Sequence, residues 1–342
     1  MIVTLTPNPS LDRTIELGGP LERGAVQRAC GVDRQPGGKG VNIARAVTAA
    51  QTPCLALLPG ATEDPVLTAL SAEGIAYVNL PLAEPLRSNI TVTEPDGTTT
   101  KINEPGPALS ADQQRQLIQL CIDHAKNQRW LVLAGSLPQG VAEDFYAQII
   151  RAVRTNLGAS APLIAVDSSG APLREALEAA PDLIKPNAEE LAELCQDLGL
   201  STLAELPSAE QLETQPGLVA DLAGRLIGRM GEGPQTMTVL ATLGAHGAIF
   251  AEKQDAWYAR GPKIIARSTV GAGDSALSGY LLAQLSGLPA QDRLRQAVAH
   301  GSAATALPGS TMPKPEHIDA SGVDSQPISG SGDHPLVQGT KS

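Results

Sequence analysis

A three-layer α/β/α sandwich with a mostly parallel central sheet and a small β-sheet lid is the fold class this 342-residue chain predicts. Three observations carry it. Short apolar runs of strand length alternate with longer helical patterns through most of the sequence, which requires parallel connections. Two glycine-rich turns run straight into helices. Two stretches, within about 11–32 and 87–103, break the alternation and read as extended pieces with no helix between them.

The predicted core strands are 2–6, 54–58, 75–80, 130–134, 163–167, 183–185, 237–241 and 248–251. Trp130-Leu131-Val132-Leu133-Ala134 is typical, a continuous apolar run suited to burial on both faces. Helical patterns at 41–50, 111–126, 142–154, 188–198, 218–230 and 291–304 separate them, with apolar residues recurring at helical spacing. The lid pieces are 11–17 with 25–32 and 87–94 with 98–103. The second pair is a hairpin about Pro95-Asp96-Gly97, whose proline and glycine suit a tight turn. Its outer face is a candidate dimer surface. The stretch 201–217 reads as a surface insertion. The folded domain ends near 315, and 316–342, rich in Gly, Ser, Asp and Pro, reads as a disordered tail.

Bulk properties narrow the partners. A formal charge of −11 argues against nucleic acid and anionic membranes. No apolar run reaches membrane-spanning length, and the first residues read as a strand rather than a signal peptide. Cys30, Cys54, Cys121 and Cys195 have neither metal nor redox spacing, so they read as small core fillers, free thiols of a reducing cytoplasm. Aromatic residues make up only 2% of the chain, which speaks against a stacking pocket for a nucleoside acceptor.

The chemistry concentrates at Ser268-Thr269-Val270-Gly271-Ala272-Gly273-Asp274-Ser275. Gly271 and Gly273 let successive amides converge on one point, where a helix N-terminus favours an anion. Asp274 adds a carboxylate there and suits an N-cap or first-turn acid equally well. Gln35-Pro36-Gly37-Gly38-Lys39-Gly40-Val41-Asn42 is a second glycine turn before a helix, and not a Walker loop, because Gly40 follows the lysine. Lys39 and Asn42 suit a bond to a polyol or its phosphate, and the stretch suits a plain loop-to-helix turn as well. Asp12 stands just after the first strand, where open α/β sheets bind ligands. Arg87 and Asn89, and Lys101 and Asn103, alternate so that each pair shares one lid face, suited to a phosphate ester or simply to a solvated edge. Ser136 follows another strand. Asn187 and Glu190 are spaced to reach a hydrated Mg²⁺, and equally to form a capping box. Thr242-Leu243-Gly244-Ala245-His246-Gly247 gives one more glycine turn, suited to passing over a nucleotide.

Taken together, Gly37-Gly38-Lys39-Gly40-Val41-Asn42 and Thr269-Val270-Gly271-Ala272-Gly273-Asp274-Ser275 resemble the two signatures of PfkB/ribokinase-type carbohydrate kinases. Leu5-Thr6-Pro7-Asn8-Pro9-Ser10-Leu11-Asp12, Ala134-Gly135-Ser136-Leu137-Pro138, Val166-Asp167-Ser168-Ser169-Gly170 and Ile184-Lys185-Pro186-Asn187 resemble its hexose-phosphate branch. Lys101-Ile102-Asn103-Glu104-Pro105-Gly106-Pro107 narrows the likeness to fructose 1-phosphate users. The likeness runs collinearly over roughly 1–312. The chain departs from the pattern in the 201–217 insertion, in its tail, and in small residues such as Ala134 and Ala276.

The resemblance implies ATP-dependent phosphoryl transfer to the 6-hydroxyl of fructose 1-phosphate. Fructose 6-phosphate and tagatose 6-phosphate are rival acceptors, and a non-catalytic sugar-phosphate sensor is the rival of another class. It implies Asp274 as catalytic base, with the amides of the Gly271, Ala272, Gly273 and Asp274 turn as anion hole. Asp12, Gly38, Lys39, Asn42, Arg87, Asn89, Lys101, Asn103 and Ser136 would line the sugar-phosphate site. Lys185, Asn187, Thr242, Gly244 and Gly247 would face ATP, and Asn187 with Glu190 would hold Mg²⁺ through water. A monovalent cation near Ser268, Val270, Gly309 and Thr311, a homodimer through the lid and a cytoplasmic location complete the expectations.

Overall fold

The computed structural model describes residues 1–201, 206–231, 237–253 and 255–328, with a ten-stranded sheet through its centre. In chain order the first half runs β1 (Ile2–Leu5), β2 (Ser10–Leu17), β3 (Ala29–Gly37), α1 (Lys39–Ala49), β4 (Cys54–Pro59), α2 (Pro65–Ala72), β5 (Tyr77–Leu80), β6 (Arg87–Thr93), β7 (Thr99–Asn103), α3 (Ala111–Ala125), β8 (Trp130–Ala134) and α4 (Phe145–Leu157). The second half runs β9 (Leu163–Asp167), α5 (Gly170–Leu177), β10 (Leu183–Ile184), α6 (Ala188–Asp197), α7 (Ala209–Glu213), α8 (Pro216–Met230), β11 (Thr238–Thr242), β12 (Ala248–Ala251), β13 (Ala256–Arg260), α9 (Ala272–Leu285), α10 (Ala290–Thr305) and β14 (Asp324–Pro327).

The large sheet has the order β14-β13-β12-β11-β10-β9-β8-β1-β4-β5. From β5 to β11 neighbouring strands are parallel, and β12, β13 and β14 extend it antiparallel. Every residue of β1 and of β8 is buried, as expected for parallel strands covered by helices on both faces. The predicted sandwich is therefore the observed one, with strands 130–134, 163–167 and 248–251 at their predicted bounds.

The lid is a four-stranded sheet of order β3-β2-β6-β7. Parallel pairing of β2 with β6 joins its two hairpins. One predicted boundary moves. The strand expected at 25–32 is displaced to Ala29–Gly37, and Pro36 pairs with Leu11 instead of lying in a loop. Proline is tolerated there because β3 is an edge strand, which owes no ladder bond on its open side.

Order also continues past the predicted end of the domain. Asp324–Pro327 pairs with Ala256–Arg260 at the sheet edge, so the disordered-tail expectation is corrected for 316–328, while 329–342 lie outside the described residues. Backbone pairing with β13 holds this polar strand, which has no apolar periodicity to announce it. Within 201–217, residues 202–205 lie outside the described residues, but α7 docks through the fully buried Leu212. Three cysteines are buried core fillers as expected, whereas Cys30 is exposed on the lid.

Helix α9 is buried on most of its surface and packs closely on α1 and α10. Gly279 permits the crossing with α10, since a Cβ there would stand 2.5 Å from the Gln296 carbonyl and 2.6 Å from His300 Nδ1. A methyl group at this point forces backbone apart. Gly279→Ala is expected to cost about 1–3 kcal/mol of stability by denaturant unfolding, and an unchanged midpoint would contradict the close crossing.

Candidate active site

Residues at the C-terminal ends of parallel strands converge on one cleft of about 300 Å³, walled by the lid. It is lined by Asn8 after β1, Gly135 and Ser136 after β8, Ser168 and Ser169 after β9, the starts of α1 and α9, and the lid residues Arg87, Asn89 and Asn103. Helices α1 and α9 both open on glycines at positive φ, Gly38 at 106° and Gly271 at 76°, and neither has a side-chain cap. The first helical bond of α9 runs from Ser275 N–H to the Gly271 carbonyl. The amides of Gly273 and Asp274 precede it and remain available to a ligand, an anion site reinforced by the helix dipole. Ala272 N–H makes a long 3.4 Å turn bond to the Thr269 carbonyl.

Asp274 lies in the first turn of α9, only 7% exposed, and Asn42 Nδ2 donates to its Oδ2 at 2.8 Å. This bond spans the two glycine turns and fixes the carboxylate toward the cleft. Burial, followed by the charge of Asp167, pushes its pKa up to about 6 against the pull of Lys39, Asn42 and Lys185. Asp167 is the last residue of β9 and is fully buried between two ammonium groups. Its Oδ1 is 2.6 Å from Lys39 Nζ and its Oδ2 3.2 Å from Lys185 Nζ. Burial alone would raise its carboxyl, but Lys185 and Lys39 overcome this and hold it below its ordinary value. Burial also works against the Lys39 charge, and the Asp167 and Asp274 carboxylates outweigh it.

On the lid side the alternation predicted for Arg87, Asn89, Lys101 and Asn103 is real, because Asn89 pairs with Asn103 and Thr91 with Lys101. The guanidinium of Arg87 is pinned by the carbonyls of Glu104 at 3.2 Å and Asn8 at 3.1 Å. Asn89 Nδ2 donates to Ser10 Oγ at 3.0 Å and Asp12 Oδ1 at 3.1 Å. Lys101 lies exposed one pair further out, and neither it nor Asp12 lines the cleft. The Asp12 carboxylate instead packs against Gly37, where a Cβ would collide with it, and supports Asn89.

The residues expected on the nucleotide side sit along the ends of β10 and β11. Lys185 is buried, with Nζ 3.3 Å from where a Cβ on Gly273 would stand, so its charge abuts the amide turn. Thr242 ends β11 and bridges Asn187, and the turn from Gly244 to Gly247 follows, with both glycines at positive φ. Asn187 and Glu190 form the capping box, Asn187 Oδ1 accepting from Glu190 N–H at 2.7 Å and Glu190 Oε2 accepting from Asn187 N–H at 2.9 Å. Among the described residues no group of three or more His, Cys, Asp or Glu side chains is arranged to hold a metal. No helix among them is long and apolar enough to cross a membrane.

Sequence reasoning gave no role to Asp167, Asn8, Ser168 or Ser169, although each stood in a quoted motif. The available signal was position: all follow or end a parallel strand. What could not be read was that the two lysines, far apart in sequence, meet on one carboxylate.

The chain matches the model of the pfkB family carbohydrate kinases over residues 6–317. It is 32% identical over 320 residues to a 1-phosphofructokinase of Haloferax volcanii, covering 93% of this chain and 95% of that one. It is 30% identical over 315 residues to the ATP-dependent 6-phosphofructokinase isozyme 2 of Escherichia coli, covering 91% and 94%. The crystal structure of phosphofructokinase-2 from Escherichia coli in complex with potassium superposes with a TM-score of 0.79 at 28% identity, covering 92% of this chain and 96% of that one.

A carboxylate that titrates at about 6 leaves a direct kinetic signature if it serves as the base. Turnover is expected to fall about tenfold per pH unit below that value, with a plateau above it. A profile flat down to pH 4.5 would remove Asp274 from the proton-transfer step. Stability runs the other way. Its folded pKa lies above the ordinary 3.8, so its contribution is fully present below 3.8 and is lost as pH rises through about 6. Asp274→Asn is therefore expected to raise the melting temperature, and by more at pH 8 than at pH 5.

Proposed function

The chain belongs to the pfkB family of carbohydrate kinases, and we propose that it transfers the γ-phosphoryl group of ATP to the 6-hydroxyl of fructose 1-phosphate, giving fructose 1,6-bisphosphate. ATP-dependent phosphorylation of a sugar phosphate is the activity its relatives support. The acceptor is the finer part of the reading. The observation that carries it is Asp274, a buried carboxylate at the open N-terminus of α9, facing a cleft whose lid wall presents the pinned guanidinium of Arg87.

Arg87 binds the phosphate ester of the acceptor at the lid, with Asn89, Asn103 and Ser136 bonding the polyol and Asp12 holding Asn89 in place. Lys101 strengthens the positive field from the rim. The far hydroxyl then meets Asp274, which accepts its proton as the bond to phosphorus forms. A loose transition state demands that proton late, so a carboxylate suffices. Amides of the Gly271 to Asp274 turn and the Lys39 and Lys185 ammonium groups offset charge on the transferred group. Lys185, Asn187, Thr242, Gly244 and Gly247 cradle the nucleotide.

Mg²⁺ fits beside Glu190, which spends only Oε2 on the cap and keeps a second oxygen for a water of the ion. Bound there, the ion would neutralise charge on the nucleotide phosphates. A monovalent cation fits the carbonyls of Ser268, Val270, Gly309 and Thr311, none of which accepts a backbone hydrogen bond among the described residues. A homodimer through the lid is supported by its outer face, where Val32 is 52% and Ile102 56% exposed.

A second reading has its own support, because the Escherichia coli isozyme aligns over nearly the whole chain and is named for 6-phosphofructokinase activity. Assay with ATP and fructose 1-phosphate, fructose 6-phosphate or tagatose 6-phosphate separates the acceptors. A kcat/KM highest for fructose 1-phosphate is expected, and preference for another acceptor overturns the finer reading. No turnover with any of them would favour a sensor.

Asp274→Asn should lower kcat by at least roughly 10²-fold with both substrates still bound, and near-normal turnover would sink its role as base. Arg87→Ala should raise KM for the sugar phosphate about tenfold or more while leaving KM for ATP nearly unchanged. Equal effects on the two would move Arg87 out of the acceptor site.

A further inference from the structure

Arg45 lies on α1, less than a turn beyond Asn42, and is only 7% exposed. Its guanidinium joins three separate parts of the chain. Nε and Nη2 donate to the two carboxylate oxygens of Glu73, just after α2, at 2.7 and 3.0 Å. Nη1 donates to the carbonyl of Pro36, at the root of lid strand β3, at 3.3 Å, and to the carbonyl of Ser310, in the loop after α10, at 3.1 Å. The two roots are also strapped to each other, because Ser310 Oγ donates to Gln35 Oε1 at 2.7 Å.

The far end of that loop backs the catalytic turn. Met312 is buried, its Sδ accepts from Ser275 Oγ at 3.7 Å, and its methyl lies 2.9 Å from where a Cβ on Gly271 would stand. A path of packed and bonded groups thus runs from the lid root through Arg45 and Ser310 to the amides at the start of α9. None of these groups reaches the cleft, since neither Arg45, Gln35, Ser310 nor Met312 lines it.

We propose that Arg45 is a positioning residue that sets the lid root and the 308–312 loop at one separation, so that seating the sugar phosphate under the lid and forming the γ-phosphate hole are energetically coupled. The inference rests on the sugar-phosphate kinase reading and adds the residue that links its two half-sites. Geometry explains the choice of arginine. One planar fork satisfies a carboxylate on one side and two carbonyls on the other, which a lysine ammonium cannot do at once. An arginine serving stability alone would need only Glu73, and the bonds to Pro36 and Ser310 are what join the lid root to the loop behind the α9 turn.

The test reads coupling without turnover. Binding of fructose 1-phosphate, with fructose 6-phosphate as second probe, and of a non-hydrolysable ATP analogue is measured by calorimetry, each alone and with the other present. In the unmodified enzyme each ligand is expected to tighten the other by about fivefold or more. In Arg45→Lys that factor should fall below about twofold, with kcat lowered about tenfold and the affinity for each ligand alone changed by less than about threefold. Gln35→Ala, which cuts the strap at the half-buried lid edge, should lower the coupling as well, and it keeps the test open should Arg45→Lys fail to fold.

Glu73→Gln, which keeps the Pro36 and Ser310 bonds, should lower the melting temperature and retain the coupling. Full coupling in Arg45→Lys or in Gln35→Ala overturns the proposal, as does independent binding of the two ligands to the unmodified enzyme. Absence of phosphorylation of every sugar phosphate refutes the kinase reading separately.

Discussion

The Asp167 carboxylate, buried at the end of β9 between Lys39 and Lys185, is the interaction on which the site depends. It joins the start of α1 to the residue after β10. Burying the Asp167 carboxylate with the Lys185 ammonium is costly, and their attraction, joined by that of the half-buried Lys39, offsets that cost. Loss of Lys185 from its buried pair with Asp167 would cost about 3–5 kcal/mol, because a buried charge is left less compensated. The arrangement therefore holds two positive charges beside Asp274. It also sets the character of Asp274, whose titration is raised first by burial and next by the Asp167 charge.

Around this centre the fold leaves polar groups open where a ligand can use them. Helices α1 and α9 begin at glycines without side-chain caps, although α3 and α6 carry full capping boxes. A cap at Gly38 or Gly271 would favour the isolated helix and occupy the amides that an anion needs. Several of the buried polar atoms without a partner among the described residues lie in the same region, among them Asn8 Oδ1, Asn42 Oδ1, Asn89 Oδ1 and Arg87 Nε. Stability is given up at the candidate site, where open polar groups remain for a ligand.

Much of the architecture was legible because its signals are local. The continuous apolar runs of β8, β9 and β12 were read at their bounds, and the hairpin of β6 and β7 was marked by Pro95-Asp96-Gly97. Strand β3 was misplaced because Pro36-Gly37-Gly38 carries a loop signature, and only its place at the sheet edge makes a proline harmless there. Strand β14 was missed because pairing with β13, and not its own pattern, orders it. At the site, Asp274, Lys39, Asn42, Arg87, Asn89, Asn103 and Ser136 were named and do meet in one cleft, together with Gly38 and Gly271. Lys101 and Asp12 share its face of the lid without lining it. Strand alternation reveals which face a residue occupies but not how far along the strand the cleft extends.

By itself the sequence determined the fold class, the two glycine turns and the residue types that phosphoryl transfer requires, because periodicity, glycine and charge act within a few positions of one another. Tertiary structure alone decided which of them cooperate. Asn42 reaches Asp274 across 232 positions, Lys39 reaches Asp167 across 128, and Arg45 reaches Ser310 across 265. Contacts at such separations follow from how the parallel sheet brings its strand ends together and how α1 and α9 pack upon it. Local spacing along the chain carries no record of that arrangement.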